Sequence, residues 1–232
     1  MKKKGSLSFE QMQTLCDKVG NDYISKSGED YIQALAKLFH LNNKNDNPFT
    51  IDDIKQQPLL SDFKFEGVKD FIYICKLVIR PLKLSNGIRE NEKIFAQDFG
   101  GFVAQDIFEN SAGVSYILTC PIDNNEHIIK IGESRTTFQK RLGSYNCGVV
   151  FNWRTASTTN IKMLQSMVVV RQPFNLYIYD CSKPPYILEW HGIKSVSFPS
   201  SKSLAVEDIM LKQFQKEFGR KPLANIQANA QR

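Results

Sequence analysis

Apolar residues recur at helical spacing through the first fifty positions. Ser8 and Gln11 form a capping box, and Phe9, Met12, Leu15, Cys16 and Val19 follow along one face. Ser27 opens a second helix, with Tyr31, Leu35, Leu38 and Phe39 as its stripe. The polar run Asn42 to Pro48 is a loop, and Thr50 with Asp53 caps a short helix, Ile51 to Gln57, that Pro58 stops. Helices around such a loop fit a plain helical subdomain or a helix-turn-helix-like unit. Phe71 to Leu84, rich in Ile, Val, Phe and Tyr, predicts a strand ending near the turn signal Asn86-Gly87. A mixed helical segment is expected from there to Asn110.

Ser111-Ala112-Gly113 reads as a hinge, so the pattern places a domain boundary near residue 112. Beyond it, short strands are expected at Val114 to Thr119 and His127 to Ile131, around a polar turn, Pro121 to Glu126, that contains Asp123-Asn124-Asn125. Thr136 and Gln139 predict a capped helix over Thr137 to Tyr145, and Ile161, Leu164, Val168 and Val169 predict another. Phe174 to Tyr179 alternates as a strand. Ser203 is expected to cap a last helix, Leu204 to Phe218, closed by Gly219 with Pro222 beyond. The fold class is therefore α+β. A mostly helical N-terminal region, 1–112, precedes a domain, 113–232, with a small, mainly antiparallel sheet flanked by helices.

Composition narrows the function. Of 232 residues, 42% are hydrophobic and 23% charged, which excludes a disordered or collagen-like chain. The longest apolar run, Phe71 to Ile79, is broken by Lys76, so no membrane span is expected. The basic start is followed by polar residues, and a signal peptide is not expected. Cys16, Cys75, Cys120, Cys147 and Cys181 are far apart and form no C-x-x-C, which fits a reducing cytoplasm. The net charge is +6, but it is uneven. Residues 1–112 hold 15 basic and 16 acidic side chains, while residues 113–232 hold 15 and 8. A basic half-chain is the electrostatic footprint of a nucleic-acid partner, because each neutralised phosphate releases counterions. A soluble domain that is merely basic has the same charge.

Several residues in that half carry chemistry. Gly113-Val114-Ser115-Tyr116-Ile117-Leu118 and Ile129-Lys130-Ile131-Gly132 lie on successive predicted strands. Arg141 falls nine residues past Gly132, Glu207 lies on the last helix, and Pro222-Leu223-Ala224-Asn225 closes the pattern. In order and spacing these elements resemble the GIY-YIG nuclease superfamily over about residues 113–226. Two departures mark the variant. One extra residue separates the motif glycine from Tyr116, and Lys130 stands where most members have the second tyrosine. The K-I-G form is similar to a branch with phage-type members and some type II restriction endonucleases. Tyr145 occupies a place where many members have histidine.

The resemblance implies a DNA endonuclease with Tyr116, Lys130, Arg141 and Glu207 as catalytic residues. Glu207 would bind Mg²⁺ or another divalent cation such as Mn²⁺. It shares a helical face with Leu211, Phe214 and Phe218, where a carboxylate is costly unless paired or bound to a cation. A first-turn glutamate favoured by the helix dipole is the plainer reading. Arg141 would hold a phosphate that gains charge. Tyr116 would act as base or orient water, and Lys130 would stabilise its phenolate; a core tyrosine and a solvent-facing lysine are the alternatives. Arg135, Tyr145, Arg154 and Asn225 are expected at the phosphates, and Glu133 is a further candidate for metal or water. The expected partners are double-stranded DNA and a second copy of the chain; residues 1–112 are expected to serve DNA recognition, oligomerisation or both, and their apolar stripes fit either the homodimer contact or a core of their own. A homing or phage-type nuclease and a DNA-binding module without catalysis are the rival readings.

Overall fold

The computed structural model describes residues 49–83, 90–146, 158–182, 189–194 and 202–225. The expected helices before residue 49, the Asn86-Gly87 turn and Arg154 lie outside them. The first helix of the described residues is α1 (Ile51–Lys55), capped as the sequence predicts: Thr50 Oγ1 accepts the Asp53 N–H while the Asp53 carboxylate accepts the Thr50 N–H. Two strands follow, β1 (Ile72–Lys83) and β2 (Glu90–Gln97), then helix α2 (Phe102–Asn110). Next come β3 (Val114–Ile122), β4 (Asn125–Ser134), α3 (Phe138–Asn146), α4 (Thr158–Val170) and β5 (Phe174–Asp180). A small hairpin, β6 (Glu189–Trp190) and β7 (Ile193–Lys194), precedes helix α5 (Lys202–Phe218).

β1 to β5 form one antiparallel sheet in the order β2-β1-β5-β3-β4. Period-two alternation gives it two apolar faces. One buries Tyr116, Leu118, Leu176 and Ile178 against Phe108 of α2, Phe138 and Leu142 of α3 and Met163 and Met167 of α4. The other buries Ile117 and Ile131 against Phe63, Phe71 and, from α5, Met210 and Phe214. This is the expected α+β architecture, a five-stranded antiparallel sheet between helices.

Three local expectations change. β2 lies where a mixed helical segment is expected; it is an edge strand, and charged residues such as those in Glu90-Asn91-Glu92-Lys93 are common in edge-strand sequences. The sheet also runs across the boundary expected near 112, because β1 pairs with β5. Ser111-Ala112-Gly113 is the joint between α2 and β3, with Gly113 at φ +83°. Finally, Ser203 sits inside α5 rather than capping it, and Thr137 rather than Thr136 caps α3, accepting the Lys140 N–H at 3.3 Å. The β3–β4 hairpin is tighter than expected, because Pro121–Glu126 and Ile122–Asn125 pair and so belong to the strands. Asp123 and Asn124 hold φ of +51° and +63° between the paired Ile122 and Asn125, the geometry of a two-residue type I′ turn.

The outer edge of β4 is covered twice. Ile128 N–H donates to Pro58 O at 2.9 Å, and Ala224 N–H donates to Ile129 O at 2.9 Å. Asn225 then takes both backbone groups of Ile131: its Oδ1 accepts the N–H at 3.1 Å and its Nδ2 donates to the C=O at 2.8 Å.

Candidate active site

Tyr116 and Gly132 face each other across β3 and β4. A Cβ added at Gly132 would overlap the Tyr116 ring and hydroxyl, so the phenol lies directly over the glycine. That close approach is the physical reason for glycine in this motif. Gly132→Ala is expected to cost about 1–3 kcal/mol of stability through overpacking and to push the phenol off its partners. Thermal melting and an activity assay would register both; a variant with parental values would refute the contact.

The phenol has two partners, both from α3. Phe138, Leu142 and Tyr145 recur at core-facing spacing and bury that side of the helix. Phe138 packs edge-on against the Tyr116 ring, 4.9 Å between centroids. Tyr145 Oη lies 2.7 Å from Tyr116 Oη, and Arg141 Nε donates to Tyr116 Oη at 3.4 Å. The Arg141 guanidinium carbon also sits 4.9 Å over the Tyr145 ring, a cation–π geometry. Burial pushes the Tyr116 phenol well above its usual range and Tyr145 adds to this, while Arg141 pulls it back. Burial works against the Arg141 charge, but the two tyrosines outweigh it and hold the guanidinium above its ordinary value.

Lys130 projects from the same face of β4 as Gly132, two residues away, and is buried. Its Nζ donates to Ala224 O at 3.3 Å, not to Tyr116. The cation on the Tyr116 oxygen is therefore Arg141, a correction to the expected lysine–phenolate pair. Burial lowers the Lys130 pKa below that of an ordinary lysine; Tyr145 and Glu207 resist this and Arg141 adds to it.

Glu207 lies on α5 one turn after Ser203 and close enough to Lys130, Glu133 and Arg141 to feel their charges. It is half-buried, and burial raises its carboxyl above the ordinary value, Lys130 opposing and Glu133 adding. Serines fix this end of the helix to the sheet. Ser115 Oγ donates to Ser203 O at 2.8 Å, and Ser203 Oγ donates to Glu133 Oε2 at 3.3 Å. Glu133 thus stands beside Glu207, with exposed Arg135 at 4.0 Å from its other oxygen. Among the described residues no three His, Cys, Asp or Glu side chains cluster as a ready-made metal cage. Glu207 accepts no hydrogen bond and forms no ion pair among them. A half-buried carboxylate with free oxygens fits a cation that keeps most of its waters, as Mg²⁺ does.

The fold recurs in a known endonuclease. The chain is similar to a solved structure described as "Restriction endonuclease HPY188I in complex with product DNA", at 28% identity and a TM-score of 0.50. The likeness covers 80% of this chain and 96% of that one. No family model matches the sequence, and no curated protein does. Among the described residues no helix is long and apolar enough to cross a membrane.

Tyr116, Lys130, Arg141 and Glu207 are thus brought to one place. Tyr145 joins them from inside: it is 1% exposed and its hydroxyl is held by Tyr116, so it does not reach outward to a phosphate. The Asn225 amide is likewise held by Ile131 rather than by a ligand. The sequence signal for Tyr145 was its spacing four residues after Arg141, which puts both on one helical face.

Proposed function

We propose that this chain is a Mg²⁺-dependent, sequence-specific DNA endonuclease of the GIY-YIG type in its K-I-G form, acting as a type II restriction enzyme. The observation that carries this reading is the cluster of Tyr116, Tyr145, Arg141, Lys130 and Glu207, built from the residues the motif spacing selects. The likeness to a restriction endonuclease and the basic excess after residue 112 support the same substrate.

Each side chain has a distinct task. Glu207 holds the cation, which when bound polarises the scissile phosphate and neutralises charge on the leaving oxygen. Arg141 makes no ion pair among the described residues, and a guanidinium N–H not taken by Tyr116 or Tyr145 is assigned to the phosphate as its charge grows. Tyr116, its phenol kept protonated by burial and engaged with Tyr145 and Arg141, holds the guanidinium in place for that contact. Lys130 takes up the water's proton, since burial makes its amine neutral at lower pH than usual.

Lys130→Met removes the amine at similar volume. It is expected to lower the rate on the order of 10²–10⁴-fold. The parent rate should rise with pH through a midpoint below the ordinary lysine value of 10.5, and the variant should lose that rise. Recovery of the variant at alkaline pH would return the proton to Tyr116.

Two sites related by a two-fold axis would cut both strands in one encounter, so the reading includes a homodimer on palindromic DNA. Plasmid cleavage with and without Mg²⁺, followed by light scattering on free and DNA-bound protein, tests the whole. Discrete Mg²⁺-dependent fragments and a dimer are expected. A mobility shift without cutting would identify a binding module instead, and a monomer making double-strand breaks in one step would remove the dimer.

A further inference from the structure

α3 carries Arg141 and Tyr145 to Tyr116, and its last residue, Asn146, reaches the opposite edge of the sheet. Asn146 Oδ1 accepts the Ile94 N–H at 2.8 Å and Nδ2 donates to Ile94 O at 2.9 Å. β2 is an edge strand, so these two backbone groups lack a partner strand on that side. Ile94 is only 2% exposed, so they are poorly placed for water to satisfy them. A second amide holds the same end of the helix: Asn160 Nδ2, from α4, donates to Ser144 O at 2.9 Å. The other end is tied to β4, where Ser134 Oγ donates to Thr137 O at 3.4 Å. At ordinary strand spacing, β4 and β2 are about 19 Å apart. A nine-residue helix is about 13 Å long. α3 therefore spans the sheet only with help from polar groups at both ends.

We propose that Asn146 is a positioning residue for DNA cleavage: its two-pronged bond to Ile94 sets where α3 ends and so holds Tyr145 and Arg141 on Tyr116. The kinetic part rests on the endonuclease reading above; the placement itself does not. Tyr145 is the residue immediately before Asn146, and Arg141 lies one turn before Tyr145, under its own contact with that ring. Loss of the amide frees the last turn of the helix, and the hydroxyl contact and the guanidinium shift with it. Asn146 thus acts through Tyr145 and Arg141, its own amide being spent on Ile94.

The test uses the full chain in four forms: parent, Asn146→Ala, Tyr145→Phe and the double variant. Asn146→Ala is expected to lower kcat for plasmid cleavage about 10- to 100-fold, the scale of a supporting group or a misplacement near 1 Å. KM for DNA should not change. In the Tyr145→Phe background the same substitution should lose most of its effect, because both act through one contact. Ultraviolet titration gives a second readout. Burial delays the ionisation of Tyr73, Tyr116 and Tyr177 alike, so the Tyr116 step is taken as the difference from a matched Tyr116→Phe chain, and it should come at lower pH in Asn146→Ala as water enters the cluster. If Asn146→Ala does not fold, Asn146→Asp, which keeps only the acceptor, takes its place with a smaller expected loss.

A parental kcat in Asn146→Ala, or a full additional loss in the Tyr145→Phe background, would overturn the proposal while leaving the endonuclease reading standing. If the parent itself does not cut DNA, that reading fails, and the titration alone decides: an earlier ionisation supports the clamp and an unchanged curve refutes it.

Discussion

Glu207→Gln is expected to abolish cleavage while the chain still folds and still binds DNA. The substitution keeps the size of the side chain and removes the charge that would hold the cation. Its neighbours on α5, Ser203 and Met210, are buried independently of it, so the helix stays on the sheet. The rate should fall at least on the order of 10²–10³-fold, the scale of losing one group that stabilises the transition state. Acid should mimic the substitution. Burial raises the Glu207 carboxyl above its ordinary value, so a proton competes with the cation at higher pH than it would for an exposed glutamate. Calorimetric titration of Mg²⁺ into the parent should show affinity weakening as pH falls, starting above the usual carboxylate range. The Gln variant should bind little Mg²⁺ at any pH. Cleavage by Glu207→Gln near the parental rate would remove Glu207 from the site.

Arg141→Ala is the second large effect. Among the described residues the guanidinium engages the Tyr116 hydroxyl and the ring and hydroxyl of Tyr145, and a donor left over is the one assigned to the phosphate. Its loss should cost on the order of 10²–10³ in kcat. The contact over Tyr145 is worth only about 0.5–1 kcal/mol at a partly exposed site, so the melting temperature should move little. Arg141→Lys should fail to restore the rate, because a single ammonium cannot hold the Tyr116 oxygen and fork a phosphate at the same time. Full activity in the lysine variant would mean that a point charge suffices and would undo the two-contact role. DNA binding by mobility shift separates loss of affinity from loss of the chemical step.

Legibility in the sequence followed the range of the interaction. The β3–β4 hairpin, α3 and α5 were readable because each is set by neighbours a few residues apart: the Asp123-Asn124 turn, the Phe138-Leu142-Tyr145 face, and Gly219 at φ +68° after the last helix. Arg141, nine residues past Gly132, is reached by the same short spacing, whereas Glu207, far along the chain, is selected only by the resemblance. Pairings between distant segments carried no such signal. β1 joins β5 across about a hundred residues, so a composition change and a short Ser-Ala-Gly stretch looked like a domain boundary although the sheet is continuous there. β2 was missed because an edge strand needs only a few apolar positions, Ile94 and Phe95 here, and its charged remainder resembles a helix surface. Which cation meets Tyr116 was also out of reach. Lys130 is nearer along the strand, but the Ala224 carbonyl, brought in from far along the chain, captures its ammonium.

The two asparagine amides close the two open sides of the sheet, Asn146 on β2 and Asn225 on β4. An uncovered strand is a template on which another polypeptide can add, and at Ile94 and Ile131 an asparagine amide occupies the backbone groups that such a strand would use. The solubility of the protein is therefore coupled to side chains that stand beside its chemistry. Chains that lose Asn225 would keep every strand yet present the Ile131 N–H and C=O to a neighbouring molecule. Their characteristic failure would be concentration-dependent aggregation through strand addition rather than unfolding.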